Sequence, residues 1–291
     1  MNASDGHVHL FLPVHNRRSH TYRLLQMLKA QTLSHFHLVL IDDGSADGTE
    51  NMVLHEMPEA TILRGNGRWW WAGSLQRGLL WARENGVSGS DVIVVMNNDT
   101  SIEPTFLETG VRLVRSLPRS LVAAQSYGAR SRELFDPGVR FDWRTLTMSL
   151  AAAGTEIHCL STRGFFATYA DLLRIGGFHP VLLPHYLSDF EYSYRAWRKG
   201  FGLKTYRELR LWVDEETTGV HRLPPQSIRQ CFQRQFSRRS AANVFAWVVF
   251  IGLACPQKWM VINWCRVIAR SASELLSCFR NSVLRPMREW K

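Results

Sequence analysis

Two short apolar runs constrain this chain more than anything else in it, because each stops abruptly in acid. Val-Ile-Val-Val-Met over 92–96 runs into Asn97, Asn98 and Asp99, and Leu-Val-Leu-Ile over 38–41 runs into Asp42, Asp43 and Gly44. Runs this short and this rich in β-branched residues read as strands rather than helices, and their lack of alternation places them inside a sheet covered on both faces. Each therefore carries polar groups to its carboxyl end. Strand, helix and strand in succession form a right-handed parallel unit, so both ends lie along one edge. Open α/β sheets bind their ligands along that edge. A capping turn of Asn and Asp is the plainer reading of either strand end taken singly.

The rest of the first hundred residues supplies the same unit twice more. Residues 8–14 read as a first strand and 15–19 as its turn, with Ser19 placed to cap a helix carrying Leu24, Leu25, Leu28 and Leu33. After Asp43, Gly44 permits a tight turn and Ser45 or Asp47 can cap the next helix. A short strand over 61–64 leads into Gly65-Asn-Gly-Arg-Trp-Trp-Trp-Ala-Gly-Ser74. Three consecutive tryptophans cannot all share one face of a helix, so at least one indole is expected to line a cleft. A helix over 74–84 follows, ending near Gly86. A hard divalent ion takes oxygen ligands and, in a magnesium-like site, only one or two carboxylates beside phosphate oxygens. Asp99 alone therefore suffices for a metal–diphosphate site, and Asp43 is placed to accept from the N–H of a pyrimidine base.

Composition narrows the classes. The 291 residues are 45% hydrophobic, enough for one large α/β domain with an appendage. The net charge of +10 is unevenly held: 18 basic and 6 acidic residues follow position 194, while the part before it is slightly acidic. A basic segment of this kind faces nucleic acid, anionic lipid or phosphorylated substrate. Five cysteines with no CxxC or zinc-like spacing read as reduced, mostly buried thiols of a cytosolic protein. No secretory signal is evident, and the uncharged run over 241–255 falls short of the ~20 residues that span a bilayer.

The ordered set Pro-Val-His-Asn, Asp-Asp-Gly-Ser-x-Asp-Gly-Thr, Gly-Asn-Gly with Ala-Gly-Ser, and Asn-Asn-Asp-Thr resembles the inverting family-2 glycosyltransferases of GT-A fold. The last motif is similar to that of their rhamnosyltransferase-like branch. The resemblance covers roughly residues 7 to 225, and the order and spacing of four motifs carry it rather than any one of them. It implies an α/β fold with a Rossmann-like, predominantly parallel sheet flanked by helices. It implies a catalytic domain over 1–225, with a nucleotide-binding half to about residue 100 and an acceptor-binding half over 101–225. A helical C-terminal extension over 226–291 follows.

The same resemblance places a site. Pro13, His15 and Asn16 match the first-strand wall of the nucleotide pocket, Asp43 the carboxylate that reads the base, and Gly67 and Arg68 the loop over the nucleotide. Asn97, Asn98 and Asp99 match the metal-binding Asp-x-Asp, which departs here at Asn97, where charge is lost. Phe165 to Phe178 resembles the segment bordering the acceptor. Inverting transfer needs a base to take the acceptor hydroxyl proton. The family commonly carries Glu-Asp there, and Ser188-Asp189 aligns with it, so Asp189 is the expected base. The plainer reading has Asp189 cap the helix while Glu191 pairs with Arg195. His221 matches a histidine that approaches the metal, and Arg222 is placed to neutralise the departing diphosphate. The implied cofactor is Mg2+ or Mn2+, and the implied partners are a nucleoside-diphosphate sugar and a glycan or lipid-linked acceptor of cell-surface polysaccharide synthesis.

The tail is open to two readings. Arg229, Arg234, Arg238 and Arg239 interleave with Phe232 and Phe236, and Trp264, Arg266 and Arg270 follow among aliphatic residues. Basic and aromatic residues at helical spacing suit a helix lying on the inner face of the cytoplasmic membrane, and equally a helical cap packed on the domain. Two further functions stand against the first: a nucleic-acid-binding protein, which leaves Asp43, Asp99 and Asp189 without a shared role, and an inactive scaffold on the same fold. No nucleic-acid partner is expected, and the sequence leaves the oligomeric state open.

Overall fold

A computed structural model describes residues 6–214 and 227–284. The first half is the repeat the strand pattern implies. Strands β1 (Val8–Val14), β2 (His37–Asp42), β3 (Thr61–Arg64) and β4 (Val92–Val95) alternate with helices α1 (Arg18–Lys29), α2 (Thr49–Glu56) and α3 (Trp70–Glu84). The four strands lie parallel in the order β3-β2-β1-β4. Successive residues of a strand face opposite sides, and the core divides accordingly. Leu10, Leu12, Leu38, Leu40, Val92 and Val94 pack under α1, with Leu24, Leu25 and Leu28. Phe11, Val39, Ile41, Ile93 and Val95 pack against Leu75 and Ala82 of α3 on the other face.

The second half makes the sheet mixed. It comprises β5 (Thr100–Ile102), α4 (Phe106–Ser116), β6 (Ser120–Gly128), β7 (Leu134–Asp136), the hairpin β8 (Val139–Asp142) and β9 (Thr147–Leu150), β10 (Phe165–Thr168), α5 (Tyr169–Ile175), α6 (Ser188–Arg198) and β11 (Gly202–Val213). The sheet continues β4-β10-β6-β11-β5, with β10 antiparallel to both of its neighbours and β7 paired to β6. Because β10 runs against β4, its first residue Phe165 lies beside Val95. The 162–164 turn is thereby brought to the edge where β4 releases Asn97.

Two helix starts differ from the sequence reading, for one reason. Helix α1 begins at Arg18, before Ser19, and its first amide donates to Asp47 Oδ2 at 2.9 Å, a cap supplied by the loop after β2 rather than by Ser19. Helix α3 begins at Trp70, a turn earlier than 74, because Asp43 accepts the N–H groups of Trp69 and Trp70. A remote carboxylate replaces the local cap in both cases, and local sequence carries no trace of it.

The tail forms α7 (Ile228–Phe236), α8 (Val244–Ala254) and α9 (Gln257–Leu284). Phe250, Ile251 and Ala254 are buried with Phe141 and Trp143 of the hairpin region, with Leu187 just before α6 and with Tyr194 of α6. Buried Asn263 donates to the Trp143 carbonyl at 2.8 Å, and Trp143 Nε1 donates to the Tyr194 hydroxyl at 2.7 Å. One face is thus a packed cap. Phe232, Phe236 and Phe245 remain exposed, their rings in a chain of contacts at 5.8 Å. No helix among the described residues is long and apolar enough to cross a membrane.

The expectation of five reduced thiols is corrected here. Cys231 and Cys278 form a disulfide, while Cys159, Cys255 and Cys265 are free and Cys265 is exposed. The bridged pair is 47 residues apart, and α7 packing on α9 brings the two together, which a search for closely spaced cysteines cannot see.

Candidate active site

The site forms where β1, β2 and β4 end. Strand β4 pairs with β1 only as far as Phe11, where Met96 N–H closes the ladder at 3.0 Å. Beyond it one flank of β1 is open, and Pro13, with no N–H to leave unpaired, is buried in that stretch. The chain then turns through Asn16 at a φ of 50°. His15 Nδ1 lies 2.8 Å from the Asp43 carbonyl and its Nε2 3.1 Å from Asn16 Nδ2, which assigns the proton to Nδ1. Asn16 donates its N–H to Ser45 Oγ and accepts from Ala46 N–H at 2.8 Å. His15 and Asn16 therefore latch the first turn onto the loop after β2.

Asp43 organises the neighbouring loop. Its Oδ1 accepts from Gly67 N–H at 2.8 Å, and its Oδ2 accepts from both Trp69 and Trp70 N–H at 2.9 Å. The carboxylate is buried, and three of its roughly four lone-pair positions are taken. One acceptor position on Oδ1 is left for a ligand. The two backbones come so close that a Cβ on Gly44, whose φ is 76°, would sit 2.8 Å from Gly67 N. Gly67 itself has a φ of 80°, so glycine is required on both sides of this contact. Arg68 is exposed at the tip of the loop.

The β4 end divides its three polar residues. Asn98 turns inward and donates to Thr21 Oγ1 at 3.0 Å, a buried bond that fastens the strand end to α1. Its expected place is on the nucleotide, and this bond engages the amide nitrogen in the fold. Asp99 Oδ2 accepts from Arg17 Nη1 at 3.1 Å, while Asp99 Oδ1 and Asn97 Oδ1 are buried with no hydrogen-bond partner. Buried oxygen acceptors without donors are rare and costly. Two of them, two residues apart, present the donor chemistry of a hard divalent cation. No group of three or more His, Cys, Asp or Glu side chains suited to a metal occurs among the described residues. His221 and Arg222 lie outside them.

Residues 162–189 are joined to this edge through the tryptophans. Ala72 N–H donates to the Pro184 carbonyl at 3.0 Å, Trp71 Nε1 donates to Thr162 Oγ1 at 2.9 Å, and the Trp70 ring lies 5.8 Å from that of His185. Trp70 holds a positive φ of 56°, an uncommon conformation for a bulky residue and one that needs outside support. It receives that support from Asp43 on one side and His185 on the other. Arg239, from the tail, stands 5.7 Å over its ring.

Four residues beyond His185 is Asp189, near the start of α6. It retains partial solvent contact yet lies deep in the protein mass, and this burial pushes its carboxyl up to about 6. The N–H of Phe190, donating to Oδ1 at 2.9 Å, opposes the rise; the charge of Asp136 adds to it, and that of Arg163 opposes it. Glu191 pairs with Arg195 at 2.8 Å, as the plainer reading held, and Ser188 donates to the His185 carbonyl at 2.6 Å. Asp136 and Arg163 carried no motif in the sequence; the end of β7 and the turn before β10 bring their charges near Asp189. A cavity of about 840 Å3 between β6, β11 and residues 151–157, bordered by Pro137 and Trp197, includes none of these side chains.

Solved structures share this architecture. The chain superposes on GalNAc-T7 with UDP, GalNAc and Mn2+ with a TM-score of 0.62 and 13% identity over 90% of this chain and 56% of that one. It superposes on S. aureus TarS at 0.60 and 13% over 92% and 54%, and so spans about half the length of each. A mannosyltransferase from Pyrobaculum calidifontis, PcManGT, in complex with GDP-Man and Mn2+, matches at 0.57 and 14% over 99% and 84%. These likenesses show the GT-A fold. A search of curated protein sequences finds no match. The family model for glycosyl transferase family 2 matches residues 10–171, over half of the chain, and the protein belongs to that family.

Proposed function

We propose that this protein is an inverting glycosyltransferase of the rhamnosyltransferase-like branch. It moves a hexosyl or deoxyhexosyl group from a nucleoside-diphosphate sugar to a hydroxyl of a glycan or lipid-linked acceptor of cell-surface polysaccharide. The observation that carries this reading is Asp189: a carboxyl raised to about 6 by burial, on a segment tied through His185 to the loop that Asp43 holds. A base works best when its proton affinity lies near working pH. Asp189 Oδ2 takes the acceptor hydroxyl proton as that oxygen bonds to the anomeric carbon. The bond from that carbon to the diphosphate oxygen breaks on the opposite face, and the electron pair leaves with the nucleoside diphosphate. Asp43 offers its remaining lone pair to the base N–H, while Pro13, His15, Gly67 and Arg68 shape the wall and loop around the nucleotide. Asp99 and Asn97, with His221 as further ligand, would hold a Mg2+ or Mn2+ ion, which would supply charge neutralisation at the diphosphate, and Arg222 adds to it.

The tail fits a place on the inner face of the cytoplasmic membrane. Phe232, Phe236 and Phe245 are 51%, 41% and 65% exposed, and Arg229, Arg238 and Arg239 flank them. Rings and guanidinium groups arranged this way suit an anionic lipid surface. A thermal-shift screen of UDP-, dTDP- and GDP-sugars with Mg2+ or Mn2+, followed by transfer assays on each hit, tests the reading. A shift with at least one donor and its turnover are expected. Stabilisation by none of them would leave the inactive-scaffold alternative.

A further inference from the structure

Arg17 occupies an unusual position at the strand ends. The chain on both sides of it is pinned: Asn16 N–H donates to Ser45 Oγ, Arg18 N–H donates to Asp47 Oδ2, and the Arg17 carbonyl accepts from Thr21 Oγ1 at 3.0 Å. Its side chain has none of that security. The guanidinium is 44% exposed and meets Asp99 Oδ2 at 3.1 Å, whereas the Asp99 side chain is only 16% exposed. A fixed root with a loosely held charged end can change partner without moving the backbone.

The geometry points to a partner exchange, and it rests on the metal and diphosphate reading given above. We propose that Arg17 is the resident counter-ion of Asp99 in the donor-free protein, and that it yields Asp99 to the divalent cation when the donor binds, its guanidinium then taking a diphosphate oxygen. Three observations support this. Asp99 is the one carboxylate of the Asn-Asn-Asp turn, so Arg17 and the cation compete for a single negative charge. Asp99 Oδ1 and Asn97 Oδ1 remain buried without donors even with Arg17 in place, so the guanidinium only partly satisfies the turn. A half-exposed ion pair is weak, at most about five-fold in an equilibrium constant, so its loss is easily outweighed. A guanidinium also matches phosphate oxygens in geometry and charge. The charge that Asn97 removes from the turn is thus replaced by coupling: the cation binds well only with the diphosphate, which gives Arg17 somewhere to go.

The coupling gives Arg17→Ala two opposite effects. Full-length wild type and Arg17→Ala are titrated with Mn2+ by electron paramagnetic resonance, alone and with UDP, dTDP or GDP at fixed concentration. Removal of the competitor should tighten Mn2+ binding without nucleotide by about two- to five-fold. Removal of the phosphate partner should weaken Mn2+ binding with the best nucleotide by about ten-fold or more. Arg17→Lys, which keeps the charge and loses the fork, should fall between on both readings. A variant that folds poorly would lose affinity in both titrations, so opposite signs cannot arise from damage. Equal Mn2+ affinities in wild type and variant, or a loss in both titrations, overturn the inference and leave the glycosyltransferase reading standing. No Mn2+ uptake by wild type under either condition overturns the metal reading and this inference with it.

Discussion

The first, parallel half of the sheet and the second, mixed half each hold one key carboxyl group, and the two are treated in opposite ways. Asp43 is surrounded by donors, with three backbone N–H groups within 2.9 Å. Asp189 has fewer, the N–H of Phe190 and its own, and burial above all, joined by the nearby charge of Asp136, works against its ionisation. A carboxylate that holds three N–H groups is a structural clamp, because most of its lone pairs are committed to the backbone it orders. A starved one is reactive, because proton uptake relieves it. Residue type is the same, and burial together with hydrogen-bond supply makes the difference between them.

Substitutions at the two sites test that contrast. The largest effect is expected from Asp189→Asn, which should slow transfer by about 10²- to 10⁴-fold while nucleotide affinity, followed by calorimetry, stays within about two-fold. Unimpaired transfer would remove Asp189 as the base. Asp43→Ala should act through the fold instead, leaving buried N–H groups unpaired at about 1–3 kcal/mol each before relaxation. A net loss of about 3 kcal/mol in chemical denaturation is expected, with nucleotide binding lost as the 67–70 loop is released. If Asp43→Ala melted like wild type, the clamp description would fail.

The third test is pH. The Asp189 value of about 6 in the folded chain stands above its ordinary 3.8, so the folded state binds this proton more tightly than the unfolded one. The group's contribution to stability is therefore most favourable below pH 4 and is lost as pH rises through about 6. Asp189→Asn should consequently be more stable than wild type at pH 8, by up to about 3 kcal/mol, and nearly equal to it at pH 4. Melting curves at the two pH values check this. The wild-type kcat/KM should fall as pH drops through about 6, as the base becomes protonated. The smallest effect belongs to the tail: Asn263→Ala removes the donor to the Trp143 carbonyl and should cost about 1–3 kcal/mol, seen as faster hydrogen exchange in α8 and α9. Phe232→Ser with Phe236→Ser, both exposed, should leave that exchange unchanged while reducing sedimentation with anionic vesicles; unchanged sedimentation would leave α7 out of any membrane contact.

Much of this was legible from local pattern. The uninterrupted apolar runs at 38–41 and 92–96 could only be central strands, and their acidic ends marked the ligand edge before any coordinates. The glycines at 44 and 67 signalled tight backbone, and both take positive φ where the two loops touch. What escaped the sequence were contacts made across it. Asn98 reads like its neighbours Asn97 and Asp99 but turns to Thr21. The pairing of Cys231 with Cys278 depends on how α7 meets α9.

The sequence by itself determined which strands are buried and where they end, because burial and turn chemistry are written in runs of a few neighbouring residues. Only the tertiary structure decided what each polar group at those ends does. The donors that make Asp43 a clamp come from 24 to 27 residues away, and the guanidinium on Asp99 comes from 82. The charge of a carboxylate belongs to the residue, but its hydrogen-bond supply and its burial belong to the fold.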